Sequence, residues 1–230
     1  MKVSTFNIKN DFDDYKLDKT KEIYKYFKNN NIDILGLQEV FSKCNNDLKK
    51  VFDNCYSIIG KYRFYIRFFF RKCNEKNPII TNYRIIKKRT YHLPFFPSGL
   101  KRVMTHIIID FKGKKISIYN THLEAKILSV KEKQLKRIYR IIKKDKYPII
   151  LMGDFNLNIN NEIFLNFVKN LEELSINRVE LLEKTLKPSK TNLEIDHFFI
   201  SKEFKLKNKE VVKSLDISDH YPVIIDLEYK

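Results

Sequence analysis

The chain has 230 residues, 43% hydrophobic and 32% charged, with a net charge of +17 and only five Gly and six Pro. That is enough for one substantial core and too few breakers for long linkers, so a single domain over residues 1–230 is expected. No apolar run reaches the ~18–20 residues of a membrane-spanning helix, and the start, MKVSTFNIKN, lacks a basic-then-apolar leader, which predicts an intracellular address, cytoplasmic or nuclear.

The positive charge favours a polyanionic partner, nucleic acid first, although a Lys-, Asn- and Ile-rich composition also follows from an AT-rich genome. No heptad or apolar stripe demands an obligate protein partner. Cys44, Cys55 and Cys73 match no zinc spacing or disulfide framework and read as reduced thiols.

Lys2–Ile8 alternates apolar and polar residues and predicts a strand ending at Asn7. Lys19–Asn29 predicts a helix with Ile23, Tyr26 and Phe27 on one face, stopped by Asn29-Asn30-Asn31. Ile32–Val40 follows as a buried strand with Gln38 and Glu39 at its end. Tyr56–Phe70, with Lys61, Arg63, Arg67 and Arg71 interleaved, reads as a basic strand pair over substrate or as an edge guarded by charge.

Pro78–Lys87 and Val103–Phe111 predict further strands, and Lys112-Gly113-Lys114 a hairpin turn into Lys115–His122. Ile127–Lys144 has helical spacing, with Leu135, Ile138 and Ile142 inward and Lys and Arg outward. Tyr147–Met152 is a buried strand that delivers Gly153-Asp154. Glu162–Leu174 predicts a helix, and Ile195–Ser201 and Val223–Leu227 predict strands. Strands dominate and helices are too few for a doubly wound sheet. An α/β sandwich of two packed sheets flanked by helices fits better.

Five polar islands end these apolar runs: Thr5-Phe6-Asn7, Leu37-Gln38-Glu39, Asn120-Thr121-His122-Leu123-Glu124, Gly153-Asp154-Phe155-Asn156 and Ser218-Asp219-His220. Hydrolysis of a phosphodiester needs an activated water, stabilised charge on the phosphoryl oxygens, and help for the leaving oxygen. A hard cation such as Mg2+ (or Mn2+) takes oxygen ligands, so Glu39 is the main candidate, with Asn7 and Asp219 beside it.

Asp154 would orient or deprotonate water and Asn156 would bind a phosphoryl oxygen, although Gly-Asp-x-Asn is also ordinary turn chemistry. His220 suits proton exchange or contact with a phosphoryl oxygen, with Asp196 as the carboxylate that sets its tautomer. His122 is a second catalytic imidazole. His92, His106 and His197 read as structural or surface residues. Lys101 and Arg102, with the Arg63–Arg71 region, would steer a nucleic-acid backbone.

Together these islands closely resemble the endonuclease/exonuclease/phosphatase superfamily, whose members have a deoxyribonuclease I-like fold. The resemblance implies a four-layer sandwich with its active site at one edge of two packed mixed sheets. It implies Asn7, Glu39 and Asp219 near the metal, Asp154 and Asn156 handling water and phosphate, and His220 paired with Asp196. It also suggests Glu75 as a support for His122. Either Asp154 or the His220–Asp196 pair would take the water's proton.

The sequence is most similar to two nucleic-acid branches, the deadenylases and the 5′-tyrosyl-DNA phosphodiesterases. Pro94-Phe95-Phe96-Pro97-Ser98, Lys101-Arg102, and His122-Leu123-Glu124 with Gln134 resemble the second branch. Its usual Gly-Asp-Thr-Asn is Gly153-Asp154-Phe155-Asn156 here. The alternatives are an unspecialised DNA or RNA nuclease, a sphingomyelinase-like lipid phosphodiesterase, using Phe68–Phe70 or Phe95-Phe96 as a membrane loop, and a non-catalytic nucleic-acid-binding module on the same fold.

Overall fold

The computed structural model describes residues 1–9, 19–56, 64–66, 69–71, 76–95, 101–187 and 193–230. In chain order the described elements open with β1 (Lys2–Asn7), α1 (Lys19–Asn29), β2 (Ile34–Gln38), α2 (Ser42–Val51), β3 (Cys55–Tyr56), β4 (Phe64–Ile66) and β5 (Phe69–Arg71). The middle of the chain holds β6 (Ile79–Thr81), β7 (Arg84–His92), β8 (Val103–Phe111), β9 (Lys114–His122) and α3 (Leu128–Ile142). It closes with β10 (Ile149–Asp154), α4 (Glu162–Glu172), β11 (Ile176–Arg178), β12 (Asp196–Ser201), β13 (Phe204–Val211) and β14 (Val223–Tyr229).

Two mixed six-stranded sheets form, ordered β13-β14-β1-β2-β6-β3 and β11-β12-β10-β9-β8-β7. Each has one parallel pair at its centre, β1 with β2 and β9 with β10. Period-2 alternation then sorts the side chains into layers. In β10, Ile150 and Met152 join the core between the sheets, while Ile149 and Leu151 face an outer core shared with α3 and α4. In β2, Ile34 faces between the sheets and Leu35 and Leu37 pack on α1 and α2. The result is the expected four layers, helix–sheet–sheet–helix. No described helix is long and apolar enough to cross a membrane.

Three local readings differ from the structure. Pro78–Lys87 is not one strand: the chain leaves the first sheet at Thr81 and enters the second at Arg84. The break is fixed by polar groups at the corner. Asn82 Nδ2 donates to Ile32 O at 3.2 Å, and Tyr83 N donates to Thr81 Oγ1 at 3.1 Å. Helix α2 and strand β13 were not anticipated, since both are polar and sparse in apolar residues. The basic stretch Tyr56–Phe70 lies mostly outside the described residues, as do Lys61, Arg63 and Arg67; within it β4 and β5 pair antiparallel.

Burial of His106 has a consequence for stability. Its ring lies flat on Tyr119, centroids 4.1 Å apart, and is 6% exposed. That burial, reinforced by Lys87 and Arg89 and partly offset by Asp145, pushes its pKa from 6.5 down to about 4. The unfolded chain therefore takes up a proton near pH 6.5 that the folded chain refuses until about pH 4. Stability is full above the upper value and is lost as pH falls through the lower one, by about 3 kcal/mol. His106→Gln is expected to unfold with a flatter pH dependence across that window. Equal pH slopes in chemical denaturation of the two proteins would refute this.

Candidate active site

The strand phase that builds the inter-sheet core also builds the site. Asp154 continues the row Ile150, Met152; His122 continues Ile116, Ile118; Asn7 continues Val3; Asp196 leads into Phe198 and Ile200. All four side chains thus emerge in the gap between the sheets, at the edge where the parallel strands end. The gap is narrow there. A Cβ on Gly36 would sit 2.6 Å from Met152 Cε and 2.9 Å from Asn120 Cγ. A Cβ on Gly153, whose φ is +141°, would sit 2.0 Å from Thr121 O, so the residue before Asp154 has no room for a side chain.

Two island residues hold the sheets together rather than lining the site. Gln38 Nε2 donates to Thr5 Oγ1 (3.0 Å) and Asn120 Oδ1 (2.7 Å), and Asn120 Nδ2 donates to Leu37 O and Pro78 O. This buried network seats the strand ends beneath the reactive groups.

Asp154 is the hub. Its Oδ2 accepts from Asn7 Nδ2 at 2.9 Å and lies 3.5 Å from His122 Nε2 and 3.8 Å from His220 Nε2. Its Oδ1 accepts from Asn156 N at 2.8 Å. Burial pushes its carboxyl pKa up, but the two imidazoles, the Asn7 amide and the Asn156 N–H outweigh it and hold it below the ordinary carboxylate value. Asn7 Nδ2 also donates to Glu39 Oε1 at 3.1 Å, which lies 3.8 Å from His122 Nε2. Glu39 has φ +56°, and its half-buried carboxylate leans over the mouth of the site.

His220 Nδ1 and Asp196 Oδ2 are 2.9 Å apart. Burial alone would push the imidazole down; the carboxylates of Asp196, Asp154 and Asp219 outweigh it and raise its pKa to about 10. Thr185 Oγ1 accepts from the backbone N of Ile195 and of Asp196, which fixes the strand end. Ser218 Oγ donates to Asn7 O at 2.7 Å and ties the His220 loop to β1.

The remaining expected site residues fall as follows. Asp219 faces Lys9 in an ion pair of 3.2 Å. Asn156 has φ +51° and donates Nδ2 to Leu123 O at 3.2 Å. Lys101 Nζ lies 4.8 Å over the Phe95 ring. Arg102 does not reach outward: it is buried, with Nη1 2.8 Å from His122 Nδ1. Glu75 lies outside the described residues.

Lys131 was read as an outward helix residue, yet it is buried, with Nζ donating to Asn156 O at 2.8 Å. Burial pushes its pKa down, against the pull of Asp154 and Glu124. Its neighbour Val130 is buried too, a hint that the apolar face extends to this turn. Gln134 joins Glu124 N to Pro94 O, holding the Pro94 segment beside the site.

Among the described residues, ligand atoms of Asp154, Asp196 and His220 lie within 4.8 Å of one another. With Glu39 and Asn7 adjacent, the donors are mostly oxygen, which suits a hard divalent cation.

Comparison with known proteins bears on this geometry. Three solved structures share the fold over nearly their whole length. An endonuclease/exonuclease/phosphatase family protein of Bacteroides thetaiotaomicron is 20% identical with a TM-score of 0.83, covering 100% of this chain and 98% of its own. A mannosyl-6-phosphatase of the same species is 20% identical with a TM-score of 0.79, covering 100% of both chains. D. rerio TDP2 complexed with a single-strand DNA product is 18% identical with a TM-score of 0.72, covering 99% and 98%.

A curated UPF0294 protein of Vibrio campbellii is 28% identical over 115 residues, 49% of this chain and 40% of that protein's length. The profile of the Endonuclease/Exonuclease/phosphatase family matches residues 4–220, from the first island to the last, and the chain belongs to that family of phosphoester hydrolases.

Proposed function

We propose that the chain is a divalent-metal-dependent phosphodiesterase acting on nucleic acid or on an adduct at a nucleic-acid end. The observation that carries this reading is the convergence of two imidazoles and the Asn7 amide on one oxygen of Asp154, with Glu39 at the mouth. Asp154, held below the ordinary carboxylate value, is ionised and placed to take a proton from water. His220, raised to about 10, carries a positive charge at neutral pH and would offset charge growing on a phosphoryl oxygen. Both observations support Asp154, rather than the His220–Asp196 pair, as the group that takes the water's proton. Asp219, engaged with Lys9, acts on this centre by helping to keep His220 charged.

Glu39 and Asn7 would hold Mg2+ or Mn2+, and the bound ion would supply Lewis-acid stabilisation of the phosphoryl group. The Asp154–Asp196–His220 group suits the ion less, because His220 is already cationic and occupies Asp196. Glu39→Gln is therefore expected to weaken Mn2+ binding at least about tenfold, measured by electron paramagnetic resonance. Unchanged Mn2+ affinity in that variant, with loss in Asp196→Asn, would move the metal to the second group.

The charge of +17 supports a nucleic-acid substrate, as does likeness to a protein captured with single-strand DNA. Likeness to a sugar phosphatase shows that the fold by itself does not select the substrate. Of the apolar residues considered for a lipid loop, Phe68 and Phe96 lie outside the described residues, and Phe95 is exposed with the Lys101 ammonium 4.8 Å over its ring.

The test is turnover with magnesium on 5′-phosphotyrosyl single-stranded DNA, plain single-stranded DNA, poly(A) RNA and mannose 6-phosphate, each with an EDTA control. Release of tyrosine with the strand intact identifies adduct removal; degradation of plain strands identifies a nuclease. Hydrolysis confined to the sugar phosphate would overturn the reading.

A further inference from the structure

A second cleft lies on the outer face of the second sheet, between α3 and the edge strand β7, and encloses about 790 Å3. Lys87 and Arg89 reach it from β7, and Arg137 and Arg140 from α3. Lys143, Lys144 and Lys146, from the helix end and the turn after it, complete the rim. Among the described residues Asp145 is the one acid that lines it, and Asp145 is already engaged: it accepts from Tyr119 Oη at 2.5 Å and from Tyr147 N at 3.1 Å. None of the seven cations is ion-paired with a carboxylate among the described residues.

Cations at the end of a helix are expected from its dipole alone, and a Lys-rich helix face is usually just solvated. Neither accounts for the strand side of the cleft. The register of β7 against β8 slips between Ile85 and Lys87, a β-bulge at Ile86. Before it, Ile85 pairs with Ile109 and faces the inter-sheet core. After it, Lys87, Arg89 and Tyr91 pair with Ile108, His106 and Met104. Those partners belong to the outer face, with Met104 in the outer core and His106 in the cleft. Without the extra residue, all three side chains would turn the other way. The bulge thus adds two cations to a cleft that α3 already makes positive.

The floor carries stacked rings. His106 lies on Tyr119, and Tyr91 stacks beside His106 with centroids 6.1 Å apart. Tyr91 is half-buried, with the Arg89 guanidinium 4.8 Å over its ring. His106 and Tyr119 are buried beneath Tyr91, so Tyr91 is the ring within reach. A positive groove with one accessible ring matches the chemistry of a single nucleic-acid strand, whose phosphates take the cations and whose bases stack.

Position supports the same occupant. Tyr91 pairs with Met104 and Met104 with Thr121, the residue before His122. The upper end of the cleft is therefore two strand spacings, ~10 Å, from the catalytic strand end, on the other face of the sheet. From Tyr91 down to Lys87 it runs ~13 Å further, room for about four phosphates at the spacing of a stacked strand.

We infer that this cleft is a second binding site, which holds the phosphate backbone of a single-stranded nucleic acid a few nucleotides from the reacting bond. The inference rests on a nucleic-acid substrate, but it is tested without turnover. Full-length protein in EDTA is titrated with a fluorescein-labelled oligothymidylate of about twelve nucleotides, followed by anisotropy between about 50 and 200 mM salt. Arg89→Gln/Arg137→Gln/Arg140→Gln is compared with Lys28→Gln/Lys49→Gln/Lys205→Gln, which removes equal charge from exposed positions on α1, α2 and β13.

The cleft variant is expected to bind about tenfold more weakly or worse, with the slope of log K against log salt reduced by about 2. The distant variant should stay close to the unaltered protein. Equal behaviour of the two variants would overturn the inference. So would unchanged DNA binding in the cleft variant alongside lost binding to phosphatidylserine vesicles, which would make the cleft a lipid site. Because binding is read in EDTA, failure here leaves hydrolysis at the catalytic edge standing, and absent hydrolysis leaves the cleft standing.

Discussion

Asp154→Asn is expected to lower turnover by about a thousandfold while the protein remains folded, since a positioned general base contributes on that order. The substitution keeps size and shape, so Asn156 N can still donate to Oδ1. What changes is Oδ2, which Asn7 Nδ2 reaches at 2.9 Å and toward which His122 and His220 turn their Nε2 atoms. An amide there would point N–H bonds at three groups that also carry protons, and it could not accept one from water. Loss of a buried acceptor also costs about 1–3 kcal/mol of stability. Thermal unfolding run beside the kinetics separates that loss from the chemical one. Turnover within about tenfold of the unaltered protein would remove Asp154 as the base.

The effect is expected in kcat rather than KM. Asp154 is buried, with Asn7 and the two imidazoles around its Oδ2, so it is expected to meet the attacking water rather than the body of the substrate. Glu39 sits nearer the mouth, and its loss should be recovered in part by raising the metal concentration. That contrast distinguishes a base from a metal ligand with the same assay.

The convergence of the candidate site residues was legible in the sequence because strand geometry is periodic. Four of the five islands sit at the end of a strand, the fifth lies in the loop before β14, and the alternation that buries Ile150 and Met152 also directs Asp154 into the same gap. His220 and Asp196 were pairable because an imidazole near a strand end needs an orienting carboxylate. Gln38 and Asn120, in the same islands, show the limit of that reasoning. Their amides are spent holding the two sheets together, and nothing local separates them from catalytic groups.

Other features depend on phase and on tertiary contact. The single extra residue at Ile86 turns Lys87, Arg89 and Tyr91 to the opposite face, and an alternating pattern cannot reveal a slip of register. Lys131 lies in a helix whose other lysines are mostly exposed, and it is buried only because the Asn156 carbonyl comes to meet it. The corner at Asn82 divides what reads as one strand because its partners, Ile32 and Asp33, are distant in sequence.

Arg102→Met is the second substitution with a large expected effect, a fall in kcat of roughly 10² to 10⁴ with little change in KM. A guanidinium can only donate hydrogen bonds. Its Nη1, 2.8 Å from His122 Nδ1, therefore requires that nitrogen to accept, which puts the ring's proton on Nε2. That is the nitrogen facing Asp154 Oδ2 and Glu39 Oε1, where substrate phosphate would arrive. Arg102 thus acts as a positioning residue that directs a donor into the site from behind. Met retains much of the buried apolar volume but lets the proton move to Nδ1, away from the reaction. Arg102→Lys, still only a donor, should recover part of the loss. ¹⁵N NMR of His122 should show an unprotonated Nδ1 in the unaltered protein and a mixture of tautomers in the Met variant. A direct grip on the substrate would instead raise KM and leave both tautomer signals unchanged, and a protonated Nδ1 in the unaltered protein would end the argument for orientation.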